Sequence, residues 1–157
     1  VARGNPLGLH GWPDLLRPDV RMVNRSLGTG TRLLLDHWLE QQGVSPERLR
    51  GYTQEESSHA AVAACIAAGQ ADTGLGIASA AARQGLDFVP LLQEQYWLVC
   101  LSSALQTTAV QQLGRLLASD AWLATLQALP GYTQDAGSGQ IHSLKRTLPW
   151  WQTADGP

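Results

Sequence analysis

The stretch Asn24–Gly43, NRSLGTGTRLLLDHWLEQQG, decides how this chain is read. Hydroxyl residues alternate with Gly28 and Gly30, arginines stand on either side at Arg25 and Arg32, and an apolar run follows at once. Leu34, Leu35, Trp38 and Leu39 recur at helical spacing and the pattern stops at Gly43, so the spacing predicts an amphipathic helix with a glycine beyond its end. Immediately before it, Val20–Asn24 (VRMVN) reads as a short strand. The stretch is therefore a strand-to-helix turn, and two readings compete. In one, Thr29 or Thr31 caps the helix and the glycines shape the turn. In the other, the backbone N–H groups of Gly28, Thr29, Gly30 and Thr31, not yet committed to helical bonds, hold an anion with help from the helix dipole. Ser26, Thr29 and Thr31 would add hydroxyl donors, and Arg25 charge and paired donors. A phosphate-binding GxxxxGK[ST] loop is excluded by spacing and the missing lysine; of GxGxxG only GTG is present.

Outward from this turn, strands and helices alternate. RGNPLG is a turn, and WPDLLRPD (12–19) a short helix or turn with Pro13 suited to its first position. A second strand is expected near Leu49–Tyr52. Ser57 or Ser58 caps an alanine-rich helix that stops at Gly69, and ADTGLGI (71–77) is a third strand. ASAAARQGL is a further helix, DFVPLL a strand, and QYWLVCLSS (Gln95–Ser103) the most apolar strand of the chain. Thr107 to about Leu129 carries one or two amphipathic helices. The order predicts an α/β fold with an at least partly parallel sheet.

The 157 residues suit one domain, and a formal charge of −2 with a pI near 6.1 gives no bulk attraction to nucleic acid or anionic lipid. Neither a direct nucleic-acid partner nor a membrane is expected. The opening residues show no signal-peptide pattern, Val1-Ala2 reads as the tail of a strand, and no stretch of about twenty apolar residues occurs. Cys65 and Cys100 both lie in apolar runs and are expected to be buried thiols; with no CxxC or HExxH spacing, neither a metal nor a cofactor is expected.

A second helix start, TQEESSHAAVAA, gathers Glu55, Glu56, Ser57, Ser58 and His59. Capping accounts for the carboxylates and for at least one serine, while the serines share the helix-start geometry that suits an anion. His59 is either a ligand contact or proton carrier, or a solvated surface histidine. No GxSxG elbow is present, and His10, His37 and His142 stand in no catalytic context, so no catalytic residue is assigned. Asp72 and Asp87 read as structural turn residues, and Glu94 as a hinge or cleft carboxylate.

The run from Arg3 to Gly43, followed by GYTQEESSHAAVAACIAAGQADTGLGIASAAARQGLDFVPLLQEQYWLVCL, resembles the periplasmic-binding-protein-like domain (type 2) joined to helix-turn-helix regulators or molybdopterin-biosynthesis proteins. More distantly it is similar to the molybdate- and tungstate-binding proteins of importers. The GNP…DL entry, the V..G.AD.G passage and a late helix ending near GY carry the resemblance, and NRSLGTGT is similar to the SRGDDSGT type of turn, with Arg25 and Thr29 at the same relative spacing. It implies two α/β lobes joined by crossing strands around an anion cleft. This chain would supply the second lobe (about 4–92) with a return strand and helices (about 93–132), a C-terminal extension over 133–157, and no first lobe. Arg25, Ser26, Thr29, Gly30 and Thr31 would be ligand contacts, Ser57, Ser58 and His59 would line the same wall, and Val1–Arg3 and Glu94–Leu101 would cross between lobes. The implied function is non-catalytic sensing of a small oxyanion such as molybdate or tungstate. A first lobe or a homodimer partner would close the cleft, and a helix-turn-helix module could belong to the longer protein. GLGI (Gly74–Ile77) departs from the tyrosine-containing passage of molybdate binders and leaves the ligand open. A cytoplasmic location is expected, periplasmic if the chain serves an importer. The competing class is an interaction or dimerisation module with a degenerate cleft, using LPWWQ (Leu148–Gln152) as an apolar surface.

Overall fold

A computed structural model describes residues 1–148 of the protein; Trp150 and Trp151 of the LPWWQ stretch lie outside the described residues. The chain divides into two compact units, Val1–Gln95 and a second beginning at Tyr96.

The first unit is a small α/β layer. Three parallel strands, β1 (Met22–Arg25), β2 (Glu55–Glu56) and β3 (Thr73–Gly74), lie in the order β2-β1-β3. Between and after them run α1 (Gly30–Gln41), α2 (His59–Ala67) and α3 (Ala78–Arg83). Alternation along β1 sends neighbouring side chains to opposite faces. Met22 packs with Leu35 and Leu39 of α1, together with Leu15, Leu49 and Leu75. Val23 packs with Val62, Cys65 and Ile66 of α2. The two crossover helices therefore cover opposite faces of the sheet, and β1 is buried on both. With this order the chain reverses its winding between β1 and β3, which is where open α/β sheets place their ligands.

Local chemistry fixes the element ends. Asn5, at φ +42°, bonds both the N–H and the carbonyl of Leu9 and holds the RGNPLG turn. Asp14 accepts from the His10 and Gly11 N–H groups at 2.7 and 3.0 Å and starts the 3-10 turn Trp12–Leu16. Thr29 caps α1, Ser58 caps α2, and Gly69, at φ +71°, closes the end of α2. Asp72 anchors β3 to β1: its carboxylate takes both ends of the Arg21 guanidinium, at 2.8 and 3.1 Å, and the Arg21 N–H at 2.8 Å. The Arg21 hydrogen bond holds the Asp72 carboxyl below its usual 3.8. A depressed folded-state pKa contributes stability above 3.8 that is lost as pH falls below it. Asp72→Asn is therefore expected to flatten part of the acid limb in a plot of melting temperature against pH; an unchanged limb would assign it to other carboxylates.

Several sequence expectations are corrected. The second strand is Glu55–Glu56 and not Leu49–Tyr52. Along β1 the N–H donors advance from Met22 to Asn24 while their acceptors jump from Arg50 to Gln54, so two extra residues loop out of the ladder. Gly51 makes this possible: at φ +94°, it lies so close to β1 that a Cβ would collide with the Met22 carbonyl oxygen. DFVPLL and QYWLVCLSS form no strand among the described residues, because an apolar run becomes a strand only where a ladder partner lies alongside. Tyr96, Leu98, Val99 and Leu101 are exposed, and so is Cys100; only Cys65 is a buried thiol. Val1-Ala2 is likewise unassigned, although the Ala2 N–H reaches the Asp72 carbonyl at 3.0 Å.

The second unit holds the expected pair of helices, α4 (Thr108–Leu117) and α5 (Asp120–Gln127), capped by Thr107 and Ser119, and a short α6 (Leu144–Thr147). Ser138 donates to the Leu117 carbonyl at the end of α4, and Trp97 meets the His142 ring edge-on. Among the described residues no helix is long and apolar enough to cross a membrane.

Candidate functional site

Arg25 is the last residue of β1 and pairs in register with Glu56, the last residue of β2. The turns leaving both strands therefore lie side by side at the carboxyl edge of the sheet. Each leads into a helix start: Gly30 and Thr31 on α1, His59 and Ala60 on α2 have N–H groups that precede the first intrahelical bond. The turn after β3 joins them, since the Cβ position of Gly76 lies 3.7 Å from His59 Nδ1.

The two arginines of the opening motif have opposite surroundings. Arg32, 4% exposed, donates to both Asp36 oxygens at 3.0 and 3.1 Å, to Glu55 at 2.7 Å and to the Arg25 carbonyl at 3.3 Å. Its guanidinium lies 4.2 Å over the Tyr52 ring, whose hydroxyl donates to Asp36 at 2.7 Å. Burial alone would lower its pKa, but the bonds to Tyr52, Glu55 and Asp36 outweigh that and raise it. Arg32 is a satisfied structural cation that ties α1 to the bulged turn before β2.

Arg25 is 8% exposed and spends one nitrogen on the Ser57 carbonyl, at 3.1 Å. Its Nε and Nη1 are buried with no hydrogen-bond partner among the described residues. A guanidinium with two desolvated, unanswered donors is rare, because such a group loses several kcal/mol of hydration, on the order of the penalty for any uncompensated buried ion. The same is true of His59 Nδ1, which is buried and unpartnered. Burial, and then the positive charge of Arg25, lower the His59 pKa; Glu94 acts in the opposite direction. His59 is thus half-buried beside Arg25, and the solvated reading of this residue is corrected.

The remaining candidates divide by what their side chains already do. Thr29 is committed to the cap: its hydroxyl donates to the Ser26 carbonyl at 2.9 Å and accepts from the Arg32 N–H at 3.4 Å. Ser58 accepts from the Ala61 N–H at 3.0 Å. Gly28, at φ +82°, makes the turn, and neither it nor Gly30 has any atom within 4 Å of its Cβ position, so both leave the backbone open to approach. Ser26 and Thr31 are half-exposed at the same mouth, and Ser57 is exposed. The structure thus brings Arg25, Ser57, Ser58 and His59 together at one edge, with the Ser26–Thr31 turn leading away from Arg25 itself. Residue-type reasoning passed over Gly76, whose approach to His59 depends on β3 lying beside β1. Among the described residues no group of three or more His, Cys, Asp or Glu side chains comes together as for a metal ion.

The profile of the PBP superfamily domain matches residues 1–118. This chain belongs to that superfamily. It is 40% identical over 132 residues to the uncharacterised protein YvgK of Bacillus subtilis (strain 168), an alignment covering 84% of this chain and 42% of that protein. It is 32% identical over 101 residues to an uncharacterised protein in the ferredoxin 2Fe-2S gene 5' region of Clostridium pasteurianum, covering 64% of this chain and 89% of that one. The chain therefore spans less than half of the Bacillus relative. No solved structure matches it significantly. The PBP-like domain is in general a ligand-binding type of domain, and the α/β layer with its parallel sheet agrees with it.

Proposed function

We propose that this PBP-like chain binds a small oxyanion non-covalently at the carboxyl edge of its sheet, with molybdate or tungstate the leading ligands. The observation that carries the reading is Arg25: a nearly buried cation whose Nε and Nη1 have no acceptor among the described residues. A charge-assisted donor is left over on each of two edges of the planar guanidinium, which suits a ligand that carries negative oxygens. The starts of α1 and α2 add free N–H groups and the positive ends of two helix dipoles. Such groups replace the hydration shell of an anion without moving, so little reorganisation opposes binding.

In this reading residues 4–92 form one wall of a cleft, and a first lobe or a second copy supplies the other. Closure on the anion would shift a population of open and closed forms, which a linked DNA-binding or cofactor-biosynthesis module could read. Calorimetry on the full-length protein with molybdate, tungstate, sulfate and phosphate tests it. Binding of at least one anion that disappears in Arg25→Ala is the expected result. Absence of heat with all four, or equal binding by the variant, would sink the proposal.

A further inference from the structure

We propose that anion binding at this edge is coupled to the uptake of one proton by His59. The inference rests on the anion site proposed above and goes beyond it, because it makes affinity depend on pH through a named group. Its starting point is geometric. His59 is the first residue of α2, its Nδ1 is buried with no partner among the described residues, and the Cβ position of Gly76 lies 3.7 Å from that nitrogen. Arg25 reaches the same helix start through the Ser57 carbonyl. The buried donors left over on Arg25 and the buried nitrogen left over on His59 therefore belong to one small region, and an anion is the ligand that would answer both.

The charges around His59 set the direction. From β1 comes Arg25, whose cation disfavours a second positive charge, and from the segment before Tyr96 comes Glu94, which favours it. From β2, Glu55 is engaged by Arg32, while Glu56 acts on Cys65 of α2. β3 carries no titratable side chain, and α3 has Arg83 in its last turn. Val1, which lines the same small pocket as His59, has its amino group bonded to the Asp87 carbonyl. Burial, the Arg25 charge and the positive end of the α2 dipole all favour neutral imidazole in the ligand-free site.

A dianion seated on Arg25 reverses this balance. One of its charges cancels the guanidinium field and the other attracts a cation, so the imidazolium, with an N–H at Nδ1 to donate, becomes the favoured form. The proton comes from solvent, and no bond other than N–H is made. A group whose pKa is raised by the ligand binds a proton along with it. Affinity then rises as pH falls through the interval between the bound and free values, by up to about tenfold per pH unit, and is flat outside that interval.

Calorimetry of the full-length protein with sodium molybdate and with sodium sulfate, neither of which titrates near neutrality, reads this directly. Repeating each titration in buffers of different ionisation enthalpy gives the number of protons bound. The expected result is uptake of up to one proton per anion, with affinity falling several-fold for each unit of rising pH, on the order set by linkage. In His59→Gln, binding persists more weakly, takes up no proton and is independent of pH. As a check that needs no variant, the imidazole resonances of His59 followed by NMR should titrate at higher pH once molybdate is added. Anion binding without proton uptake, or with uptake undiminished in His59→Gln, overturns this inference and leaves the anion site standing. No binding of either anion, nor of tungstate or phosphate, overturns both.

Discussion

Replacing Arg25 by methionine is expected to abolish anion binding and, at the same time, to make the ligand-free protein more stable. The two effects share one cause. In the absence of ligand the guanidinium is desolvated, with Nε and Nη1 unanswered among the described residues and one bond to the carbonyl of Ser57, an exposed residue. A methionine keeps most of the volume and removes the buried charge, and exchanges of buried charges for well-packed apolar groups stabilise by about 1–4 kcal/mol. The bond to Ser57 that is lost offsets part of this, so about 1–2 kcal/mol should remain. For a domain of this size that is an upward shift of roughly 2–8 °C in melting temperature. Binding, by contrast, loses two charge-assisted hydrogen bonds in a desolvated setting, and the affinity should fall by at least about a hundredfold. Thermal melts with and without added molybdate check both halves. A variant that melts lower and still binds would mean that Arg25 is there for the fold.

Arg32→Ala should do the reverse. It removes the cation that joins Glu55 to Asp36 and the Tyr52 ring, and it leaves two carboxylates close together. Removing one member of a buried pair destabilises by roughly 3–5 kcal/mol. Asp36 and Glu55 are each 33% exposed and regain some water, which brings the expected loss down to about 2–3 kcal/mol. Chemical denaturation should show this as a lower midpoint with an unchanged slope. Anion affinity, measured where the variant is still folded, should change far less than in Arg25→Met. Loss of binding with unaltered stability would exchange the roles assigned to the two arginines.

Much of the first unit was legible in the residues because its signals are local. The apolar spacing of Leu35 and Leu39, the caps Thr29 and Ser58, and the glycine after α2 all act within a turn or two of chain, and they marked α1 and α2 closely. The alternation of such elements was enough for an α/β fold with a parallel sheet. The strand beyond Gly51 was not legible, because whether an extended residue joins a ladder depends on the strand beside it. Here the close approach of Gly51 to Met22 pushes the pairing on to Glu55. QYWLVCLSS misled for the same reason: hydrophobicity marks what prefers to be covered and says nothing of what covers it.

The site divides along the same line. NRSLGTGTR by itself determined a strand-to-helix turn with an open backbone, a capped helix and a cation on either side. Arg25 and Arg32, seven residues apart in one motif, are chemically identical, and no local rule ranks them. Tertiary structure decided between them. Folding carries Glu55 and Tyr52 to Arg32, which already has Asp36 one turn along its own helix; to the Arg25 guanidinium it carries, among the described residues, the Ser57 carbonyl as acceptor, with His59 near enough to feel its charge. The free energy of a buried charge depends on its partners, and partners from other strands are assigned only when the sheet forms.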